Sequence, residues 1–444
     1  MGFFDTTQSM FKIPELRKRI LFTLALLVVF RIGSYVPVPG IDSDALGNAL
    51  RAMQQAGGGL LGLYDMFAGG AFSRATVFAL GIMPYISASI ILQLLTAVIP
   101  YFEKLQKEGD EGRKKITQYT RYGTVLLSMI QAYGISIFLE NMPVPGGGTP
   151  IVPMSGAGFR MMTMLTLTSG TIFLMWLGEQ ISDKGIGNGI SLLIFAGIIA
   201  RYPNDILNTF RAVGARQLGI FKFIIILALM VLIIAGVIVM TQAMRKIPVQ
   251  YAKRVIGRRV YGGQSTHIPL RVNTAGVIPI IFAQSILMFP QSIAVFFGQS
   301  QAGLVDALNR YLNPGAVLYN VLYCVIIVFF TYFYTAIVFN PNDLADNMQK
   351  YGGFIPGIRP GKRTSEYIDR VLTRVTLPGA LFLAFIAILP SIFIHKFNAP
   401  FYFGGTGLLI VVGVALDTLQ QIESHMIMRH YEGFLKRGKL RGRR

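Results

Sequence analysis

Ten stretches of roughly 15 to 24 almost uninterrupted apolar residues punctuate this chain. They leave few folds open, because a segment of that length wound as a helix matches the hydrocarbon thickness of a bilayer, about 30 Å. The runs are Ile20 to Val36, Thr76 to Ile99, Tyr122 to Leu139, Phe159 to Leu177, Ile186 to Ala200, Ile220 to Gln242, Ala275 to Phe297, Ala316 to Phe339, Val375 to Phe397 and Tyr402 to Leu419. A closed barrel would instead show alternating segments of about 10 residues, so the pattern predicts a helical bundle. Hydrophobic residues make up 53% of the 444 and charged ones only 14%, well below the roughly 25% charge of a soluble domain. The expected fold is an all-α polytopic membrane protein of ten transmembrane helices.

Charge placement tests that count. Of the 41 lysines and arginines, 31 fall on the side of the N-terminus and 8 on the opposite side, with Arg31 and Arg160 in or beside spans. This asymmetry predicts cytoplasmic termini, and it survives only if the short fifth run is kept as a crossing. The first run leads into Val36-Pro37-Val38-Pro39-Gly40 with no small-residue cleavage pattern, so it reads as a retained span. The net charge of +20 belongs in loops, where it can meet anionic lipid, RNA or an acidic protein face.

One apolar segment is too short to cross. Leu60, Leu61, Gly62, Leu63, Tyr64, Asp65, Met66, Phe67, Ala68, Gly69, Gly70, Ala71 and Phe72 combine apolar side chains with three glycines and one acid. Irregular or half-helical backbone at membrane depth survives only against protein or water, so a re-entrant piece here implies a cavity; a helix lying on the outer surface is the alternative.

The runs also repeat. Gly81-Ile-Met-Pro84-Tyr-Ile86-Ser-Ala88 and Gly276-Val-Ile-Pro279-Ile-Ile281-Phe-Ala283 share G-x-x-P-x-I-x-A at an offset of 195. Gly189-Ile-Ser-Leu192-Leu193-Ile194 and Gly405-Thr-Gly-Leu408-Leu409-Ile410 share G-x-x-L-L-I at an offset of 216. Both matches obey one rule, span n with span n+5. Five crossings is odd, so two five-helix halves would be inverted about an axis in the membrane plane, with the pathway between them beside helices interrupted by Gly and Pro. Ile82 with Ile86, and Ile190 with Ile194, each lie one helical turn apart and project from one face.

Chemistry is sparse. The second, third, sixth, seventh, eighth and ninth runs carry no acid in their interiors, and Asp417 and Glu423 lie toward the cytoplasmic end of the tenth; a proton or ion relay is not expected. One cysteine, Cys324, excludes disulfide scaffolds and cysteine zinc sites. Gly357-Ile-Arg-Pro-Gly361-Lys362-Arg363 lacks the spacing and the hydroxyl of a phosphate loop, and neither H-E-x-x-H nor G-x-S-x-G occurs. No cofactor, metal or catalytic residue is expected.

Two cytoplasmic loops are long and organised. Arg258-Arg259-Val260-Tyr261-Gly262-Gly263-Gln264-Ser265-Thr266 reads as two short strands around a Gly-Gly turn, presenting arginines away from the membrane. The other opens at Asn340-Pro341 with a helix ending near Gly352, turns through Ile355 to Gly361, and begins a second helix at Thr364 or Ser365. Ordered basic projections predict docking of a large acidic or RNA-containing partner.

With these residues laid out, the chain resembles the bacterial SecY family, the central subunit of the protein-conducting channel, over essentially its whole length. The resemblance rests on F-A-L-G-I-M-P-Y-I-S-A-S from Phe78, K-E-G-D-E-G-R-K-K-I from Lys107, G-I-G-N-G-I-S from Gly185, Y-A-K-R with Q-S-T-H-I-P-L from Tyr251, F-I-P-G-I-R-P-G from Phe354 and P-F-Y-F-G-G-T from Pro400. It implies a non-enzymatic channel of the bacterial cytoplasmic membrane that passes unfolded secretory polypeptides and releases transmembrane segments sideways into lipid. An isoleucine pore ring would fall on Ile82, Ile86, Ile190, Ile194, Ile281 and Ile410, and a plug on the segment from Leu60 to Phe72. A lateral gate would lie between the second and third and the seventh and eighth spans, with Ser87 and Asn273 at it. Arg258, Arg259 and Arg359 would dock the motor or ribosome. The implied partners are the small membrane subunits SecE and SecG, the SecA ATPase, the ribosome, signal peptides and nascent chains, beside anionic lipids.

The implied organisation is a cytoplasmic N-terminus over 1–19, a first half over 20–200, and an external loop over 201–219. A second half follows over 220–424 with cytoplasmic loops 244–271 and 340–374, then a basic tail over 425–444. A small-solute transporter would need a polar midplane site that the sequence lacks. A scramblase or insertase without a pore would place residues 60–72 on the surface.

Overall fold

The computed structural model describes residues 13–55, 65, 68–142, 150–215, 219–251, 254–256, 259–261, 265–297, 316–397 and 405–437. The helices are α1 (Pro14–Gly33), α2 (Ser43–Gln55), α3 (Met83–Val98), α4 (Pro100–Lys107), α5 (Asp110–Asn141), α6 (Ala157–Lys184), α7 (Gly189–Ile199), α8 (Tyr202–Gly214), α9 (Ile220–Gln242), α10 (Ile278–Phe297), α11 (Val317–Val338), α12 (Pro341–Lys350), α13 (Lys362–Phe397) and α14 (Gly405–Arg437). The strands are β1 (Met244–Tyr251), β2 (Arg254–Ile256), β3 (Arg259–Tyr261), β4 (Ser265–Arg271) and β5 (Gly353–Phe354).

Each of the ten apolar runs carries helix. Among the described residues, seven helical stretches are long and apolar enough to cross a membrane, and α3 with α4, bent by 98°, makes an eighth if counted as one span. α9 shows why lipid is required: only 11% of its apolar window is buried within the protein, and Phe221 is 82% exposed. In water so wide an apolar surface would have to be covered; beside acyl chains it is at its proper solvent.

The chain forms two compact units, one of residues 1–210, 285–316 and 414–444, the other of 211–284 and 317–413. In the first, α5 packs along α3 and α6, and α6 along α1 and α7. One end of this unit is pinned where Leu16 and Ile186 meet Ile422 and Met426. In the second, α11 lies on α13, and α9 also touches α13.

The second run becomes helical only at Met83, not at Thr76. Its first residues form successive turns, with Val77 N–H bonded to Val36 O at 2.9 Å, Val38 N–H to Ala75 O at 2.8 Å, and Gly81 N–H to Phe78 O at 2.8 Å. A two-residue bridge, Pro37 with Thr76, fastens them. The irregular backbone is thereby satisfied internally, the condition for its survival away from water.

The second unit carries a platform of strands and short helices outside its apolar helices. β4-β1-β5 form an antiparallel sheet, with Ile247 opposite Ile268 and Gln250 opposite Phe354. Ile247, Val249 and Leu270 pack with Met348, Ile355 and Ile368 from α12, the following turn and α13. The strands beside Gly262-Gly263 do not pair with each other as the sequence suggested: β3 pairs with β2, and β4 with β1. Longer apolar alternation in β1 and β4, which lets them bury a face on α12 and α13, outweighs the local turn signal.

α12 begins where expected. Asn340 Oδ1 accepts Asn342 N–H at 3.1 Å, with Pro341 in the first turn. α13 begins at Lys362, two or three residues before the expected start at Thr364 or Ser365.

Candidate pore and gate

The two repeated motifs build the same local structure twice. α3 starts at Met83 and α10 at Ile278, 195 apart; α7 starts at Gly189 and α14 at Gly405, 216 apart. These are the offsets of the sequence matches. Gly81 (φ +57°) and Gly276 (φ +63°) both sit in the left-handed region just before their helices, where a side chain would be strained by roughly 1–2 kcal/mol. Ile86 and Ile281 then occupy equivalent positions, as do Ile194 and Ile410.

A third correspondence was not visible in the sequence. A Cβ on Gly170 of α6 would overlap the Val77 carbonyl, and one on Gly379 of α13 would stand 2.7 Å from the Val272 carbonyl oxygen. Val77 and Val272 are again 195 apart, and the two glycines lie in the fourth and ninth runs. In each unit a bare helix backbone admits the chain segment that leads into the motif helix.

Of the proposed ring residues in the first unit, Ile82, Ile86 and Ile194 are buried and Ile190 is half-buried. In the second unit Ile281 and Ile410 are buried. Burial removes all but Ile190 from a lipid-facing surface. The Ile190 tip lies over Gly178 of α6, where a Cβ would come within 2.6 Å of Cδ1.

The start of α7, which aims Ile190 and Ile194, is tied on several sides. Asn188 Oδ1 accepts the N–H groups of Ile190 at 3.1 Å and Ser191 at 3.3 Å, a cap worth about 1 kcal/mol. Gly189 N–H donates to Ser182 Oγ of α6, Ile186 N–H to Thr23 Oγ1 of α1, and Gly187 N–H to Gln421 Oε1 of α14, all within 3.1 Å.

Ser87 is half-buried on α3. Asn273 is buried, and its Nδ2 donates to Gly276 O at 3.1 Å, supporting the left-handed turn. Its Oδ1 is buried with no hydrogen-bond partner among the described residues, a group whose desolvation costs about 1–3 kcal/mol.

Of the segment expected as a plug, Leu60, Leu61, Gly62, Leu63, Tyr64, Met66 and Phe67 lie outside the described residues. Asp65, Ala68, Gly69, Gly70, Ala71 and Phe72 are all buried. A Cβ on Gly69 would stand 2.9 Å from Cα of Gly197, so this turn rests on the backbone of α7, one helical turn beyond Ile194.

Arg359 stands exposed on a tight turn of the platform. Gly357 (φ +82°) and Gly361 (φ +95°) bracket it, its own carbonyl accepts Thr364 Oγ1 at 2.9 Å, and Ile355 sinks into the platform core. Ser365 Oγ donates to Asn342 Oδ1 at 2.6 Å, joining α13 to α12 beneath it. Arg258 lies outside the described residues, and Arg259 begins β3.

A helical polytopic membrane protein with motif helices begun by paired glycine turns, and with apolar branched residues withdrawn at them, has the fold of a membrane channel. A solved structure described as a protein conducting channel shares that fold, with a TM-score of 0.64 at 18% identity over 96% of this chain and 95% of that one. The SecY family model matches residues 76–419. Protein translocase subunit SecY of Escherichia coli K12 is 50% identical over 432 residues, 96% of each chain. Its counterpart in Thermotoga maritima is 47% identical over 443 residues, 98% of this chain and 99% of that one. The chain belongs to the SecY family, and it is a channel subunit, not an enzyme.

Proposed function

We propose that unfolded polypeptides thread past a constriction formed by Ile82, Ile86, Ile194, Ile281 and Ile410, with Ile190 backing it from its seat on Gly178. The burial of five of these side chains at the starts of repeat-matched helices carries the reading. A conduit for arbitrary sequences cannot offer tight specific contacts, since any such site would arrest the cargo. Branched apolar walls grip weakly and exclude water when empty, and dewetting opposes ion leakage. That matters because each charge crossing 100 mV is worth about 2.3 kcal/mol.

In this reading the chain crosses the bacterial cytoplasmic membrane ten times with both termini inside, as two inverted halves over residues 20–200 and 220–424. The segment from Leu60 to Phe72 plugs the outer side of the constriction. Ser87 and Asn273 belong to a lateral gate through which apolar segments pass into lipid, gaining transfer energy. A signal peptide would supply the donor that Asn273 Oδ1 lacks.

SecE and SecG would brace the bundle. A SecA ATPase or a translating ribosome would dock on Arg359, Arg258 and Arg259, and basic loops would meet anionic lipid.

Crosslinking tests the pathway. In a Cys324→Ser background, a stalled secretory chain should crosslink to cysteines placed at Ile86 and at Ile281, and not to one at Leu232 on the exposed face of α9. Absence of crosslinks at both isoleucines would remove the threading pathway.

Docking has its own measurement. Arg359→Glu reverses the charge of an exposed side chain without touching the platform core. Motor-driven secretion should fall at least about tenfold, one such ionic contact being worth some 1.4 kcal/mol or more, while the protein's own membrane integration stays normal. Secretion at the parental rate would discard the docking role.

A further inference from the structure

The turn that leads into α3 is held by an aromatic stack. The Phe78 carbonyl accepts the Gly81 N–H at 2.8 Å, so the place of Phe78 fixes the left-handed turn from which Ile82 and Ile86 follow. Its ring is buried. Phe30 of α1 lies nearly parallel to it, 6.1 Å away between centroids with the planes 12° apart, and Phe173 of α6 does the same at 6.0 Å and 9°. Such offset, near-parallel rings attract one another beyond the area they bury. Trp176, the single tryptophan, continues the stack from Phe173 at 5.7 Å and is 48% exposed on the apolar surface of α6.

Both helices that flank the segment are bare where it passes. A Cβ on Gly33 of α1 would overlap the Phe78 ring, just as one on Gly170 of α6 would overlap the carbonyl of the preceding residue, Val77. The second unit is built differently at the equivalent place. The residue 195 positions after Phe78 is Asn273, an amide where the first unit has a ring. Counted from the two bare glycines, Gly170 and Gly379, the counterpart of Phe173 is Phe382, and it packs instead on α9, where a Cβ on Gly236 would stand 3.3 Å from its Cζ. The stack therefore serves the first turn and has no copy at the second.

We propose that Phe78, stacked on Phe30 and Phe173, is a positioning residue for the pore: it sets the direction from which α3 presents Ile82 and Ile86, and so keeps the resting channel sealed. The inference rests on the reading of these isoleucines as a constriction. The physical need for an anchor comes from Gly81. Glycine passes freely between left- and right-handed backbone, so the turn itself does not stop the start of α3 from swivelling. A flat ring held against two helices supplies that restraint, because it cannot turn without giving up its contacts with both. Phe78 touches α1 and α6, not the cargo.

The test uses the complete channel complex reconstituted in lipid vesicles. Resting ion conductance is measured, together with the rate at which a membrane-impermeant thiol reagent modifies Ile82→Cys in the Cys324→Ser background, both per amount of protease-resistant protein. Phe78→Leu keeps a buried apolar side chain and loses the flat ring; conductance and labelling should each rise at least about tenfold as the dry constriction loosens. Gly33→Ala, whose Cβ enters the space of the ring, and Phe173→Leu, at the more exposed side of the stack, should do the same. Gly33→Ala combined with Phe78→Leu should add little to either alone, since both release one restraint. Leu139→Ala opens a cavity in α5 outside the stack and should leave labelling at the parental rate.

Ile86→Ser with Ile281→Ser, measured in the same vesicles, separates the anchor from the constriction. If that pair leaks while Phe78→Leu and Phe173→Leu keep parental conductance and labelling, the anchor is overturned and the constriction stands. If the pair does not leak, the constriction falls and the anchor with it. Labelling in Leu139→Ala that rises as far as in Phe78→Leu, or effects of Gly33→Ala and Phe78→Leu that multiply, would reduce the result to a general loss of packing and also overturn the anchor.

Discussion

Vesicles holding the channel with Ile86→Ser and Ile281→Ser together should leak ions at least about tenfold faster than the parent. The two positions are equivalent in the repeat and both are buried. Each substitution removes most of an apolar side chain at about 0.8 kcal/mol per methylene and supplies a hydroxyl that holds water. Two of them exceed the roughly 1.4 kcal/mol that corresponds to a factor of ten. Ion flux under an imposed potential is the readout, with translocation of a secretory substrate measured in parallel. Translocation should continue, because the cargo is threaded and not specifically bound. An unchanged leak would mean that these side chains are ordinary core residues.

Gly170→Leu and Gly379→Leu should each abolish accumulation of the folded channel. A Cβ on Gly170 already overlaps the Val77 carbonyl, and at Gly379 it meets the Val272 carbonyl. Neither neighbour is a flexible side-chain tip that can swing aside. Overpacking of this kind costs about 1–3 kcal/mol for small insertions and more for larger ones, and the displaced segments lead directly into α3 and α10. A Cβ on Gly158 of α6 would meet nothing within 4 Å, so Gly158→Ala should leave accumulation unchanged. Protease resistance of the membrane-integrated protein distinguishes the three. Wild-type resistance in Gly170→Leu would show that the approach of Val77 to α6 is dispensable.

Much of this was legible in the residues themselves. Each apolar run located a helix because membrane-spanning helices satisfy their own backbone and declare themselves by length and composition. G-x-x-P predicted interrupted helix starts because glycine alone adopts the left-handed turn freely and proline needs no donor in a first turn. Asn340-Pro341 marked a helix start for the same local reasons. The signal failed where a local cue competed with distant partners: Gly262-Gly263 suggested a hairpin, yet its flanking strands pair elsewhere. Gly170 and Gly379 gave no cue at all, since glycine is common in apolar runs and nothing in one sequence says which of them faces a carbonyl.

The sequence by itself determined that this chain lives in a membrane, which stretches of it carry helix, and that its motifs occur twice, because those properties follow from hydrophobic length, backbone freedom and spacing along one strand of residues. Only the tertiary structure decided that Asp65 meets Arg201, 136 positions later, that Gly69 rests on Gly197, and that two bare helix backbones admit Val77 and Val272. Burial and ion pairing are properties of distances in space, and the folded chain sets those distances through packing that no local pattern encodes.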